Sequence, residues 1–143
     1  MLCERVNQSF SNNVTSGGGC ILNTIRQIDT LQRETLKEKE TDCITCGGPL
    51  IAKIFDTKPV AFTLCCDETF SAFLGLSGEK TDLFRIEKVM NDCVLLRLLR
   101  RESGNVRCTK NTVILRLDCI CAIQCFEPIN CRLNKRDLCD FED

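Results

Sequence analysis

The sequence predicts a mainly β fold, an antiparallel β-sandwich or barrel-like domain preceded by one N-terminal amphipathic helix, on three observations. Apolar residues recur at three- and four-residue steps only between Cys20 and Glu40. From Leu50 onward that period gives way to short apolar or aromatic runs separated by turn residues. Near the C-terminus, Thr112 to Pro128 alternates at the two-residue period of a strand, collecting Val113, Leu115, Leu117, Cys119, Cys121, Ile123 and Cys125 on one wholly apolar or thiol face.

Residues 1–19, rich in Ser, Asn and Gly, read as a flexible arm carrying Cys3. The helix follows over residues 20–42, with Ile21, Ile25, Ile28 and then Leu31 or Leu36 as its stripe. That stripe is narrow, so the helix is expected to dock on a domain face or a partner subunit. Cys43-Ile-Thr-Cys46-Gly-Gly-Pro closes it and opens a Cys-rich β domain over residues 43–128. Strands are expected at Leu50 to Asp56, Val60 to Cys66 and Thr69 to Leu74. Leu83 to Met90 and Cys93 to Arg100 should form a hairpin about Asn91-Asp92, residues that tolerate left-handed backbone. A turn at Glu102 to Asn105, a short strand at Val106 to Cys108 and a turn near Lys110-Asn111 lead into the long C-terminal strand, which Pro128 ends. Residues 129–143 read as a charged tail with Cys131 and Cys139.

The chain of 143 residues suffices for one domain with a hydrophobic core. Its net charge of -1 gives no overall field to attract nucleic acid or an anionic membrane. Arg97, Arg100, Arg101 and Arg107 cluster, but without interleaved aromatics, and read as a solvated hairpin edge. Neither nucleic acid nor membrane is therefore expected as a partner. The absence of histidine removes Cys-His and Ser-His nucleophile pairs, mixed Cys/His zinc sites and imidazole switches. No pair of carboxylates or lysines is placed with obvious catalytic purpose, and no cofactor is expected.

Cysteine dominates the chemistry. Thirteen thiols exceed the content of an ordinary intracellular enzyme, yet the first residues contain no apolar h-region or cleavage site, so the chain is expected to be made in a reducing compartment and oxidised later. An odd number cannot all pair internally, so at least one is left over or shared with another chain. Neighbours on one face of a strand lie about 6.5 to 7 Å apart, so Cys119 and Cys121 are poorly placed to bridge each other. Each must find a partner elsewhere or stay reduced. Cys65 and Cys66, adjacent in a strand, should point to opposite faces; a vicinal disulfide is the weaker alternative. Cys93, Cys119, Cys121 and Cys125 are expected as core or internal thiols. Cys3, Cys20, Cys43, Cys46, Cys131 and Cys139 fall on arms, turns and tails where another molecule can reach them, which makes them candidates for intermolecular disulfides.

At Cys119-Ile-Cys121-Ala-Ile-Gln-Cys125-Phe-Glu-Pro128 the sequence resembles the Cys-x-Cys-Ala-Ile-x-Cys-x-x-Pro signature of the spore coat protein Y/Z family of spore-forming bacteria. Phe84-Arg85-Ile86-Glu87 is similar to that family's Phe-Arg-Val-Glu strand, and Cys93, Leu96 and Leu98 fall where its next strand belongs. A helix leading to closely spaced cysteines at 43 and 46 also resembles the family's N-terminal half. Departures are Lys80-Thr81-Asp82 where the family has a cysteine, Arg116 in place of an acidic residue, and the lack of a His-rich tail. The resemblance implies a non-enzymatic structural protein, made in the mother-cell cytoplasm and destined for the spore surface (outer coat, crust or exosporium). It would self-assemble into an ordered sheet or a fibre, contact other spore coat proteins and be locked by intermolecular disulfides.

Two other functions remain open on the residues alone. One is a zinc-binding adaptor holding the metal with Cys43, Cys46 and two of Cys119, Cys121 and Cys125. The other is a thiol-disulfide enzyme working through Cys43 and Cys46, although that motif normally opens a helix after a strand.

Overall fold

The computed structural model describes residues 19–44 and 55–131, with helix side chains through Leu36. Helix α1 (Gly19–Ile44) precedes seven strands: β1 (Val60–Leu64), β2 (Ala72–Phe73), β3 (Lys80–Thr81), β4 (Leu83–Val89), β5 (Cys93–Glu102), β6 (Asn105–Arg116) and β7 (Ile120–Cys125). Five of them form one antiparallel sheet in the order β6-β5-β4-β1-β7, and β2 and β3 make a separate two-stranded hairpin. The molecule is thus mainly β with one N-terminal helix. Its sheet is open, and the layer packed on it is α1 and the β2-β3 segment, where a sandwich would have a second full sheet.

Alternation places Phe84 and Ile86 of β4 beside Val94, Leu96 and Leu98 of β5 on one face, where they meet Val60, Phe62, Leu74, Leu115 and Ile120. Ile25 and Ile28 of α1 pack into this cluster. Phe84 also meets the rings of Phe62 and Phe70, with centroids 6.1 and 5.2 Å away. The helical stripe does not continue through Leu31, which is 52% exposed; Gln32, at 4%, takes the inward position.

Gln32 is buried because the sheet splits there. Strands β1 and β4 pair only at Val60 and Phe84. The next rungs in that register would be Pro59 with Arg85 and Lys58 with Ile86, but Pro59 has no N–H to donate. Past this point α1 lies in the gap. Gln32 Nε2 donates to the Ile86 carbonyl at 2.7 Å and Gln32 Oε1 accepts from the Lys58 amide at 3.0 Å. One side-chain amide thereby replaces the missing rung.

Two turns differ from the sequence expectation. Asn91-Asp92 does reverse the chain, but neither residue has positive φ. At the next hairpin, Ser103 (φ 45°) and Gly104 (φ 84°) both do, the requirement of a two-residue loop whose twist matches its strands. Lys110-Asn111 is no turn. Strand β6 runs through it as a bulge, because Leu99 pairs with Cys108 while Arg97 pairs with Thr112, leaving extra residues on β6. Thr109 Oγ1 donates to the Leu98 carbonyl across the bulge at 2.7 Å. Of the strands expected before residue 75, Val60–Leu64 forms, Thr69 to Leu74 shrinks to Ala72–Phe73, and Phe55 and Asp56 lie outside any strand. The rest of the first run lies outside the described residues.

The expected strand from Thr112 to Pro128 is two strands. A 3-10 turn at Leu117–Cys119 divides it, and its halves lie at opposite edges of the sheet. Five strands at about 4.8 Å spacing would put flat edges about 19 Å apart. The four-residue step from Arg116 to Ile120 spans at most about 14 Å, so the sheet must curl to bring its edges together at this corner.

Candidate functional site: a cysteine-stapled sheet

A covalent bond staples β6 to the chain beyond β7. Beyond β7 the chain continues along the segment before β1: Ile129 and Thr57 exchange backbone hydrogen bonds of 2.9 and 3.1 Å. This ribbon crosses the face of the sheet opposite α1's apolar contacts, ending in a disulfide from Cys131 to Cys108 on β6, with Cα atoms 5.5 Å apart. Residues 129–131 therefore belong to the folded body and not to a loose tail. Cys131 is bridged within the chain, which removes it from the set of intermolecular candidates.

A buried polar network holds the ribbon. Arg85 points away from Phe84 and Ile86, its neighbours on β4, and donates from Nε to Thr57 Oγ1 at 2.8 Å and from Nη2 to the Asp56 carbonyl at 3.3 Å. Thr57 Oγ1 donates to Asp56 Oδ1, which also accepts from the Cys131 amide, both at 2.8 Å. Glu87 accepts from Arg85 Nη1 and Arg97 Nε at 2.8 Å each. Burial opposes ionisation of Glu87, but the Arg97 hydrogen bond and the charges of Arg85 and Arg97 outweigh it and hold the carboxyl below its ordinary pKa. Asp29, Gln32, Arg33 and Leu36 close a cleft of about 190 Å³ over these three residues. Sequence reading missed the network, although Arg85 and Glu87 alternating with Phe84 and Ile86 in a buried strand were its visible sign.

The second disulfide joins Cys65 to Cys121, with Cα atoms 4.8 Å apart. Cys121 is the extra residue of a β-bulge, since Thr63 pairs with Ala122 and Leu64 with Ile120. The 3-10 turn shifts the expected alternation so that Ile120 faces the core, and the bulge at Cys121 restores it, so that Ile123 packs against the core opposite Phe62. Ile120 is buried, whereas Cys121 and Cys125 are exposed and so are not core thiols. Cys121 finds its partner across the strand pair, as the spacing argument against a Cys119-Cys121 bridge required. Cys65 and Cys66 lie in the turn after β1, both partly buried, and Cys65 bridges to Cys121 instead of to its neighbour.

Cys93 and Cys119 remain as half-buried thiols. Desolvation, and then the charge and hydrogen bond of Asp92, push the Cys93 thiol above its ordinary pKa and keep it in the less reactive protonated form. Cys20, on the first turn of α1, and Cys125, at the end of β7, are exposed. Cys3, Cys46, Cys139 and the side chain of Cys43 lie outside the described residues. No group of three or more potential metal ligands occurs among the described residues, and Cys121, one of the proposed zinc thiolates, is bound to Cys65. No described helix is long and apolar enough to cross a membrane.

No protein-family model, curated protein or solved structure matches the chain.

Proposed function

We propose that this chain is a structural building block of a spore-surface layer, a non-enzymatic subunit that packs into an ordered sheet or fibre and is then locked by disulfides between chains. The observation that carries this reading is the division of sulfur. Cys65–Cys121 and Cys108–Cys131 are spent inside the subunit, tying β7 to the turn after β1 and β6 to the ribbon beyond β7, while Cys20 and Cys125 are exposed on two different elements. Two outward thiols allow a subunit to be tied to more than one neighbour, the minimum for a chain or network. Thirteen cysteines are an odd number, and the two disulfides among the described residues leave an odd remainder, so complete pairing needs a second molecule. Disulfide geometry is demanding, so non-covalent packing must first set the register. The resemblance of residues 119–128 to the spore coat signature supplies the biological setting, with copies of itself and other coat proteins as partners.

The test is negative-stain microscopy of the purified chain expressed alone, before and after boiling with and without reductant. Ordered assemblies that survive boiling until reductant is added are expected. Monomers throughout, whatever the redox state, would overturn the reading. Replacing Cys20 and Cys125 by serine together should weaken boiling resistance without removing the assemblies.

A further inference from the structure

Cys65 has two possible partners. Strands β1 and β7 pair with Leu64 opposite Ile120, and continuing that antiparallel register by one residue sets Cys65 opposite Cys119. The Cys65 amide donates to the Cys119 carbonyl at 2.9 Å, so the pairing extends to this position. Residues directly opposite on antiparallel strands have Cα atoms about 4.5 to 5.5 Å apart, inside the range a disulfide spans. Yet Cys65 is bonded to Cys121, the bulged residue, and Cys119 is left as a half-buried thiol.

We infer that Cys65, Cys119 and Cys121 form an intramolecular thiol-disulfide exchange site, in which Cys65 passes between Cys121 and Cys119. The Cys119 thiolate attacks the Cys65 sulfur. The Cys65–Cys119 bond forms as the Cys65–Cys121 bond breaks, and the electron pair leaves on Cys121, which takes up the proton that Cys119 gave up. One disulfide and one thiol stand on each side, so neither oxidant nor reductant is consumed. The outcome is a change of address. A thiol that was half-buried at the 3-10 turn becomes an exposed one on edge strand β7, four residues from the exposed Cys125. The inference concerns the isolated chain and does not depend on assembly.

The test is disulfide mapping of the purified full-length chain. After incubation in mildly alkaline buffer it is quenched in acid, where exchange stops for want of thiolate, digested with pepsin and fragmented between residues 119 and 121 in the mass spectrometer. Two populations are expected, one bridged Cys65–Cys121 and one Cys65–Cys119. Cys119→Ser should abolish the second. Cys121→Ser should be bridged wholly through Cys65–Cys119. Finding only Cys65–Cys121 in the wild-type chain would overturn the proposal. So would a Cys121→Ser chain that forms Cys108–Cys131, and is therefore folded, but leaves Cys119 alkylatable.

Discussion

Replacing Gln32 with leucine isolates the contribution of the side-chain rung between β1 and β4. Leucine matches glutamine closely in helix propensity, so α1 itself should be unaffected. Two hydrogen bonds disappear, one to the Ile86 carbonyl and one from the Lys58 amide. Ile86 is fully buried, so its carbonyl is left without water and with only a long 3.5 Å contact from Arg85 Nη1, and should cost about 1 to 2 kcal/mol; the Lys58 amide is only partly buried and adds about 1 kcal/mol. The apolar leucine recovers a fraction through burial, leaving a net loss of about 2 kcal/mol. With a urea slope of about 1 to 1.5 kcal/mol per molar, the midpoint should fall by about 2 M. The control is Leu31→Gln at the neighbouring position that hydropathy favours; because Leu31 is 52% exposed, it should change stability by less than about 0.5 kcal/mol. Urea unfolding of the dilute, oxidised chain measures both. A Gln32→Leu midpoint within error of wild type, or a larger loss for Leu31→Gln, would refute the argument that the helix is held by its amide at a split in the sheet.

The lowered pKa of Glu87 means that its ionisation favours the folded state: this stabilisation is present above the carboxyl's unfolded value and is lost as pH falls through the folded one. Glu87→Gln should therefore destabilise the chain by about 2 to 4 kcal/mol at neutral pH, because Arg85 and Arg97 lose their counter-charge, and the gap from wild type should narrow below pH ~4, as chemical denaturation across pH will show. Cys108→Ser opens a 23-residue loop and should lower stability by about 3.5 kcal/mol, against about 4 kcal/mol for the 56-residue separation opened by Cys65→Ser combined with Cys119→Ser and Cys121→Ser. A Cβ at Gly104 would meet no atom within 4 Å, but the position requires φ +84°, so for Gly104→Ala calorimetry should register a loss of about 1 to 2 kcal/mol from backbone conformation alone.

The helix was legible because Ile21, Ile25 and Ile28 keep its period, and the β body because turn residues punctuate short apolar runs. The pattern failed where a polar residue was buried for its hydrogen bonds. Hydropathy extends the stripe to Leu31, whereas the break in pairing at Pro59 calls for the amide of Gln32. It failed also where a single insertion changes phase. A one-residue slip turns every following side chain to the other face, so the 3-10 turn buries Ile120 where Cys121 was expected, until the bulge at Cys121 restores the phase at Ile123; Cys125 keeps the expected phase but is exposed as the last residue of edge strand β7. Lys110-Asn111 carries residues that suit a turn or a bulge equally, and only the partner strand β5 decides between them. The candidate thiols divided for a related reason. Sequence position marked Cys20 as accessible, but the Cys131 pairing depends on a ribbon that returns across the sheet, a contact between residues remote in sequence.

On the proposed function, stability and assembly fall to different sulfurs. Strands β6 and β7 are the edges of the open sheet, where another chain can pair. Leu117–Cys119 links them at one corner, and Cys108–Cys131 staples β6 to the ribbon beyond β7. β6 also carries Arg107, Lys110 and Arg116 with no acidic residue, so pairing it with its own copy would set like charges together. In the proposed layer, the folded body holds each intrachain pair at a high effective concentration, on the millimolar scale or above, so a disulfide opened inside the subunit closes again before a diffusing partner intervenes. Links between chains through Cys20 or Cys125 lack that advantage unless packing supplies it. Graded reductant should therefore separate subunits before it opens them, and a layer built this way could be dismantled to folded, stapled units.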